Sequence, residues 1–106
     1  MSEPKAYAIA QVTINDREGY LQYQNAGHLE IFDKFSGKII AIDDATDVIE
    51  GDRPFHLTVL VEFPTKELAR AWYDSDEYQA IIGLRHSNAT STIAIFGGLP
   101  DILLQA

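Results

Sequence analysis

The most regular alternation of apolar and polar positions in the chain runs from Phe55 to Phe63. Every second residue in this stretch is apolar, and the residues between them are mixed: Phe55, Leu57, Val59, Val61 and Phe63 against His56, Thr58, Leu60 and Glu62. A period of two is typical of a β-strand with one buried face. Pro64 lacks a backbone donor and therefore predicts the end of this strand.

A helical pattern follows over residues 65–86. Thr65 is a suitable N-cap, because its hydroxyl can accept a hydrogen bond from a backbone N–H one turn later. Ser75, followed by two acidic residues, predicts a second N-cap and therefore a break in the helix. We expect two abutting helices or one kinked helix, with Trp72 and Tyr78 near the joint.

The N-terminal part of the chain predicts a strand followed by a helix. Residues 6–14 alternate, and one face is fully apolar and is assigned to the core: Ala8, Ala10, Val12 and Ile14. Asn15 or Asp16 is the expected N-cap of the helix, and Gly37 is its expected left-handed C-terminal residue. Gly27 is expected inside this helix, where a glycine usually marks the close approach of another backbone.

The remaining strands are shorter. Lys38–Ile42 predicts a second strand, Val48–Glu50 a short extension, and Thr92–Phe96 the last strand, which follows an expected loop at residues 87–90.

The resulting order β-α-β-β-α-β predicts a ferredoxin-like α+β fold, with an antiparallel sheet and its helices on one face. We expect a single domain over residues 1–106, with a loose N-terminus at 1–5 and a C-terminal tail at 99–106.

Composition excludes several classes of function. The 106 residues include no cysteine, so disulfides and thiolate chemistry are excluded. A net charge of −8 argues against nucleic-acid binding. No apolar run has the length of a membrane span, and none follows a basic N-terminus as in a secretory signal, which predicts a cytoplasmic protein.

No metal or cofactor motif is visible. The three histidines are not at ligand spacing from one another, and the acidic residues between 43 and 52 do not match a calcium-binding loop. A phosphate loop, a dinucleotide fingerprint and a Ser-His-Asp arrangement are also missing from the sequence. We therefore expect neither a metal nor a cofactor.

Aromatic residues and one arginine are the best candidates for a binding site. Four of them belong to the second helical region, namely Trp72, Tyr73, Tyr78 and Arg85, and Tyr20 and Tyr23 belong to the first. A break at Ser75 would turn Trp72 and Tyr78 toward one pocket between helices and sheet, where aromatic rings suit a planar apolar ligand. The competing interpretation is that these rings only pack in the core.

Charged residues of the central strand are further candidates. Glu62 or Glu50 could act as a base or form an ion pair, and His56 lies on the mixed face of the strand. We expect the guanidinium of Arg85 to bind a carboxylate, either from Glu62 or Glu50 or from a ligand, because arginine offers a planar fork of donors.

The chain resembles the domain of unknown function 1330 family. The most specific match is residues 71–79, Ala-Trp-Tyr-Asp-Ser-Asp-Glu-Tyr-Gln, supported by Tyr20–Tyr23, Val48–Gly51, Glu62–Pro64 and Leu84–Arg85. The chain differs from the family pattern at strand two, where Gly37 stands alone and Asp43–Asp44 replaces a second glycine pair.

This resemblance implies a dimeric α+β barrel, in which two ferredoxin-like sheets pack together. The superfamily contains cofactor-independent monooxygenases, haem-degrading enzymes, lactone isomerases and members without known activity. Two interpretations remain open: a domain that binds or transforms a small, partly apolar or aromatic molecule without a cofactor, and a dimeric structural or interaction module without chemistry.

The faces of the strands also predict a homodimer joined through its sheets. The face opposite the core carries an apolar patch of Tyr7, Ile9, Leu60 and Phe96, which would be exposed in a monomer. A two-fold partner could cover this patch with its own copy, and the tail residues Ile102–Leu104 could wrap onto that partner.

Overall fold

The computed structural model describes residues 4–52 and 54–99. Their elements follow in the order β1 (Ala6–Ile14), α1 (Arg17–Gln24), α2 (His28–Lys34), β2 (Lys38–Asp43), β3 (Leu57–Phe63), α3 (Lys66–Asp74), α4 (Asp76–Gln79), α5 (Ile82–Asn88) and β4 (Ala89–Gly97). The strands form one four-stranded sheet in the order β2-β3-β1-β4. The fold is therefore the expected ferredoxin-like α+β arrangement.

All pairings in the sheet are antiparallel, and their register separates two faces. Ala8 pairs with Val61 of β3 and with Ile95 of β4, which brings the small and branched apolar residues onto the side covered by the helices. The opposite face, here called the outer face, carries Tyr7, Ile9, Leu60 and Phe96. This confirms the assignment of the core face of β1. Among the described residues, no helix is long and apolar enough to cross a membrane.

Local capping explains where several helices begin. The side chain of Asp16 accepts from the backbone N–H of Gly19 at the start of α1, and Thr65 accepts from Leu68 at the start of α3. Ser75 lies between α3 and α4, and its hydroxyl accepts from the N–H of Tyr78 at 3.1 Å. The expected break at Ser75 is therefore present.

The first helical region differs from the expectation of one continuous helix. α1 ends at Gln24, and α2 begins only at His28. Gly27 precedes α2 with φ of 86°, a left-handed conformation that glycine adopts readily and that changes the direction of the chain. Gly27 is thus a junction between two helices and not a contact point within one.

The expected role of Gly37 was wrong. The left-handed residue after α2 is Ser36, with φ of 60°. Gly37 is needed for a different reason, because a Cβ at this position would lie 2.7 Å from Cε1 of the buried Phe63 ring.

The strand boundaries also needed correction. β3 begins at Leu57, and Phe55 lies before it beside residues 46–52 instead of on the core face. The backbone pairing of β1 with β3 ends before Leu57, because the N–H of Ile14 donates to Nε2 of the His56 ring at 3.0 Å. The ring thus takes the place of a backbone carbonyl as the acceptor.

At the end of the domain, α5 continues to Asn88 and β4 starts at Ala89, so the expected loop at residues 87–90 is not formed. Residues 48–50 form no strand. The proposed contacts of Ile102–Leu104 lie outside the described residues.

Candidate functional site

A cavity of about 300 Å³ lies between the core face of the sheet and the helices. Small residues at the centre of the sheet create this space, because Ala8 and Ala10 of β1 carry only a methyl group beneath the helices. Other apolar side chains complete most of the lining, including Leu29, Phe32, Ile39, Leu57, Val59, Val61 and Ile93. The size and apolar lining suit a small organic molecule.

Aromatic rings form the helical wall of the cavity. Tyr20 and Tyr23 reach it from α1, with ring centroids 5.3 Å apart, and Trp72 reaches it from α3. Tyr78 is fully buried directly behind this wall, where its ring centroid lies 4.5 Å from that of Trp72. The turn at Ser75 makes this contact possible, since residues six apart on a straight helix would face different directions.

The phenol groups form a buried hydrogen bond. The hydroxyl oxygens of Tyr23 and Tyr78 lie 2.6 Å apart, so one hydroxyl donates to the other. Burial raises the pKa of Tyr23 well above its ordinary value, and the neighbouring Tyr78 adds to this effect. Burial also raises the pKa of Tyr20 to about 12, although Arg85 acts in the opposite direction. Tyr20 and Tyr23 therefore remain neutral at physiological pH.

Arg85 of α5 contributes a positive charge to the cavity wall. Its side chain is only 4% exposed and separates the cavity from a second, more open groove near His86 and Ser91. Nη1 donates to the hydroxyl of Ser91, and Nη2 lies 3.4 Å from Nε2 of His86. Among the residues that the structure describes, Nε has no hydrogen-bond partner.

The charge of Arg85 is retained despite its burial. Burial by itself would lower the pKa of Arg85, but electrostatic interactions with Tyr78 and Tyr23 and a hydrogen bond to Tyr78 outweigh it, and the pKa is raised. Arginine is in any case protonated at all physiological pH values. The cavity is thus lined by neutral rings and one cation.

The expected ion pair between Arg85 and Glu62 is not formed. Glu62 lies on the outer face of the sheet, where it pairs with Lys5 at 3.2 Å and receives the hydroxyl of Tyr7 at 3.4 Å. Arg85 lies on the other side of the sheet and therefore cannot reach it. Glu50 lies in the exposed segment before β3. Within the described part of the chain, no ion pair joins Glu50 to Arg85.

His56 is also remote from the cavity. Its Nε2 accepts the N–H of Ile14, so Nδ1 carries the proton that is donated to Asp44 at 2.6 Å. Asp44 also accepts hydrogen bonds from the guanidinium of Arg17. The hydrogen bonds from Arg17, and to a smaller extent the one from His56, hold the pKa of Asp44 below its ordinary value. This cluster fastens the acidic turn after β2 to the start of α1.

His28 lines the cavity although the sequence pattern did not indicate it. Its Nε2 lies 2.7 Å from the carbonyl oxygen of Tyr23, so Nε2 carries a proton and donates it. Burial lowers the pKa of His28, and the hydrogen bond to Tyr23 opposes this effect only in part. In the neutral ring Nδ1 is then unprotonated and can accept a hydrogen bond. The signal that could have identified His28 was Gly27, which marks the start of a new helix beside Tyr23.

The indole nitrogen of Trp72 is a further buried donor. Trp72 is 4% exposed, and within residues 4–52 and 54–99 its Nε1 has no hydrogen-bond partner. Over the same residues, no three His, Asp or Glu side chains are grouped so that they could hold a metal ion.

Comparison with known proteins adds the family to this geometry. The sequence profile of a domain of unknown function, DUF1330, matches residues 5–99. The chain belongs to the DUF1330 family. A comparison with curated proteins found no match.

Several solved structures share the fold of this DUF1330 domain. A protein of unknown function from Rhodopseudomonas palustris has a TM-score of 0.73 at 15% identity, covering 92% of this chain and 85% of its own. SnoaB, a cofactor-independent oxygenase from Streptomyces nogalater, has a TM-score of 0.62 at 11% identity, with coverage of 93% and 97%. A dimeric protein of unknown function with a ferredoxin-like fold from Bacteroides fragilis has a TM-score of 0.58 at 11% identity, with coverage of 92% and 100%. At these identities the likeness concerns the fold alone.

Proposed function

We propose that this DUF1330 domain binds a small, partly apolar or aromatic molecule in the cavity between its helices and its sheet. The observation that carries this proposal is the cavity of about 300 Å³, with Tyr20, Tyr23 and Trp72 on one side and the alanines of β1 on the other. A planar ring system inserted there would contact aromatic faces and aliphatic side chains at once. A cytoplasmic location is part of the proposal and stays a prediction.

His28 favours catalysis over binding alone. Its Nε2–H is donated to the carbonyl of Tyr23, which leaves Nδ1 as the acceptor of a neutral imidazole on a residue that lines the cavity. A neutral imidazole can take a proton from a bound molecule and return it, as isomerisation or cofactor-independent oxygenation of an acidic substrate would require. SnoaB, which has the same fold, is described as a cofactor-independent oxygenase.

Thermal unfolding in the presence of aromatic acids and quinones tests the binding proposal. A ligand that binds only the folded protein raises the melting temperature by mass action. The single tryptophan in the chain, Trp72, provides a second readout, since a ligand in the cavity should change its fluorescence.

Trp72→Phe is the informative variant, and Tyr73→Phe is its matched control. Tyr73 is the adjacent aromatic residue, but it lies on the groove side and does not line the cavity. Trp72→Phe should reduce the free energy of ligand binding more than the free energy of unfolding, whereas Tyr73→Phe should leave ligand binding unchanged. If no compound shifts the melting temperature or the fluorescence, the rings are only core and the domain is a non-catalytic module.

The outer face of the sheet supports a homodimer as the functional unit. Tyr7 and Phe96 stack there with centroids 5.5 Å apart, and Phe96 is 43% exposed. Ile9 and Leu60 extend the same apolar surface, and the ion pair of Glu62 adds polar groups to it. The Bacteroides fragilis protein, which has the same fold, is described as dimeric. Packing of two outer faces would remove this surface from water.

Light scattering at micromolar concentration tests the dimer. The expected mass is twice that of one chain. Phe96→Lys should shift it to the monomer, and Leu21→Lys, at an exposed position of α1 on the opposite side of the domain, should not. A monomer mass for the unaltered protein would contradict the proposal.

A further inference from the structure

We propose that the molecule bound in the cavity is an anion, with a carboxylate or an enolate oxygen that is bound by Arg85. This inference rests on the proposed function, because it names the class of ligand for the same cavity. It starts from a buried cation whose counter-charge is missing from the described part of the chain.

Four other described cations have a carboxylate partner. Lys5, Arg17, Lys34 and Arg70 each pair with a carboxylate at or below 3.2 Å. These four cations are exposed, whereas Arg85 is 4% exposed and has no carboxylate partner among residues 4–52 and 54–99. Burial of an unpaired guanidinium is strongly unfavourable, and buried charges in proteins are usually paired, so an anionic ligand would supply the partner that Arg85 lacks.

The neighbours of Arg85 do not supply the missing negative charge. Ser91 offers a neutral hydroxyl to Nη1, and Tyr78 and Tyr23 interact with Arg85 through their phenol groups. The phenols of Tyr20 and Tyr23 remain protonated, because burial raises the pKa of both groups. The surroundings of Arg85 therefore solvate the guanidinium partly without neutralising it.

Hydrogen-bonding capacity points the same way. Nε of Arg85 is buried and unused within the described residues, and so is Nε1 of Trp72, which lines the same cavity. An unpartnered donor on each of two residues that line one cavity, one of them cationic, matches the lone pairs of a carboxylate or an enolate oxygen. An uncharged apolar ligand would leave both donors without a partner and would add nothing to balance the charge.

Proton transfer fits an enolate oxygen at Arg85. If a β,γ-unsaturated carbonyl compound binds with its carbonyl oxygen at Arg85, the proton on its α-carbon can pass to Nδ1 of His28. The electron pair of the broken C–H bond then forms a carbon–carbon double bond while the π pair of the carbonyl moves to oxygen, which gives a dienolate stabilised by the guanidinium. Return of the proton from His28 to the γ-carbon of the dienolate gives the conjugated isomer and restores both residues.

Calorimetric titration with matched pairs of ligands tests the inference. The probes are benzoate, salicylate and 2-naphthoate, each compared with its neutral amide at pH 7. The amides have nearly the same shape but no charge. We expect at least one carboxylate to bind about thirtyfold or more tightly than its amide, as is typical when a buried charge pair is formed.

Variants of Arg85 show whether this preference depends on the guanidinium. Arg85→Met should abolish the preference for the carboxylate and leave amide binding nearly unchanged. Arg85→Lys should reduce the preference, because the charge stays but the planar fork is lost. Arg70→Met is the matched control, since it removes one positive charge from a residue that does not line the cavity. If Arg85→Met does not fold, the Lys variant alone decides.

The outcomes separate this inference from the proposed function. Equal binding of acids and amides, or an unchanged preference in Arg85→Lys and Arg85→Met, would overturn the role of Arg85 while the cavity remained a binding site. Failure of every acid and every amide to bind would overturn both proposals.

Discussion

The hydrogen bond between Tyr23 and Tyr78 provides a quantitative test of the candidate site. The two hydroxyl oxygens lie 2.6 Å apart, and both side chains are buried, Tyr78 completely. Tyr23→Phe and Tyr78→Phe each remove one hydroxyl and leave the other in a largely apolar environment. Loss of one partner of a buried hydrogen bond costs about 1–3 kcal/mol of unfolding free energy.

The two single variants should not be equal. Tyr78 and Tyr23 both interact electrostatically with Arg85, but the interaction of Tyr78 is the stronger one, so Tyr78→Phe removes more favourable surroundings from a buried cation than Tyr23→Phe does. We therefore expect Tyr78→Phe to lie near the upper end of this range and Tyr23→Phe near the lower end. In a domain of this size, each kcal/mol corresponds to a decrease of about 4–8 °C in melting temperature.

The double variant isolates the interaction itself. With both hydroxyls removed, neither is left without a partner, so the combined loss should be smaller than the sum of the single losses by about 1 kcal/mol. Thermal and urea unfolding, followed by circular dichroism at one fixed protein concentration, provides all four values. Losses that add within about 0.3 kcal/mol would mean that the two hydroxyls do not interact and would refute the proposed geometry of the wall.

Other substitutions and pH changes test the packing around the cavity. Gly37→Ala should destabilise by about 1–3 kcal/mol in urea unfolding, because its Cβ would lie 2.7 Å from the Phe63 ring; a neutral effect would contradict that close approach. Ser75→Ala should cost about 1 kcal/mol in the same assay through the lost N-cap, and an unchanged midpoint would argue against the cap. Because burial lowers the pKa of His28 from 6.5 in the folded protein, the unfolded chain takes up the imidazole proton at a higher pH than the folded chain does. The free energy of unfolding should therefore fall as the pH drops below 6.5, and this contribution should be missing in His28→Asn. Because burial raises the pKa of Tyr20 to about 12, the unfolded chain loses the phenol proton at a lower pH than the folded chain does. The free energy of unfolding should therefore fall as the pH rises from 10 toward 12. A change in tyrosine absorbance at high pH that is the same in Tyr20→Phe would contradict this.

Local features of the sequence were sufficient for the fold. The alternation of residues 6–14 and 57–63 indicates which faces are buried, and the confirmed caps at Asp16, Thr65 and Ser75 mark three helix starts. These signals are local, because side-chain direction along a strand and hydrogen bonding at an N-cap depend on residues only a few positions apart. The family resemblance carried by residues 71–79 was confirmed by the match over residues 5–99.

Part of the candidate site also followed from the sequence. Tyr20, Tyr23, Trp72 and Arg85 were singled out as residue types that suit a binding pocket, and all four line the same cavity. Their common position depends on antiparallel pairing of β1 with both β3 and β4, which brings the two helical regions onto one face.

Only the tertiary structure decided which charged groups meet. Glu62 and Arg85 lie on opposite sides of the sheet. The side chain of Glu62 points to the outer face, as do alternate residues of β3, whereas α5 packs on the core face. His28 reaches the cavity because Gly27 adopts φ of 86°, a backbone choice that the sequence permits at any glycine and that the packing of α2 selects here. The sequence by itself determined the elements and their buried faces, since these depend on neighbouring residues. The cavity and the unpaired charge of Arg85 depend on distances between residues far apart in the chain, which arise only when the sheet register and the helix packing are formed together.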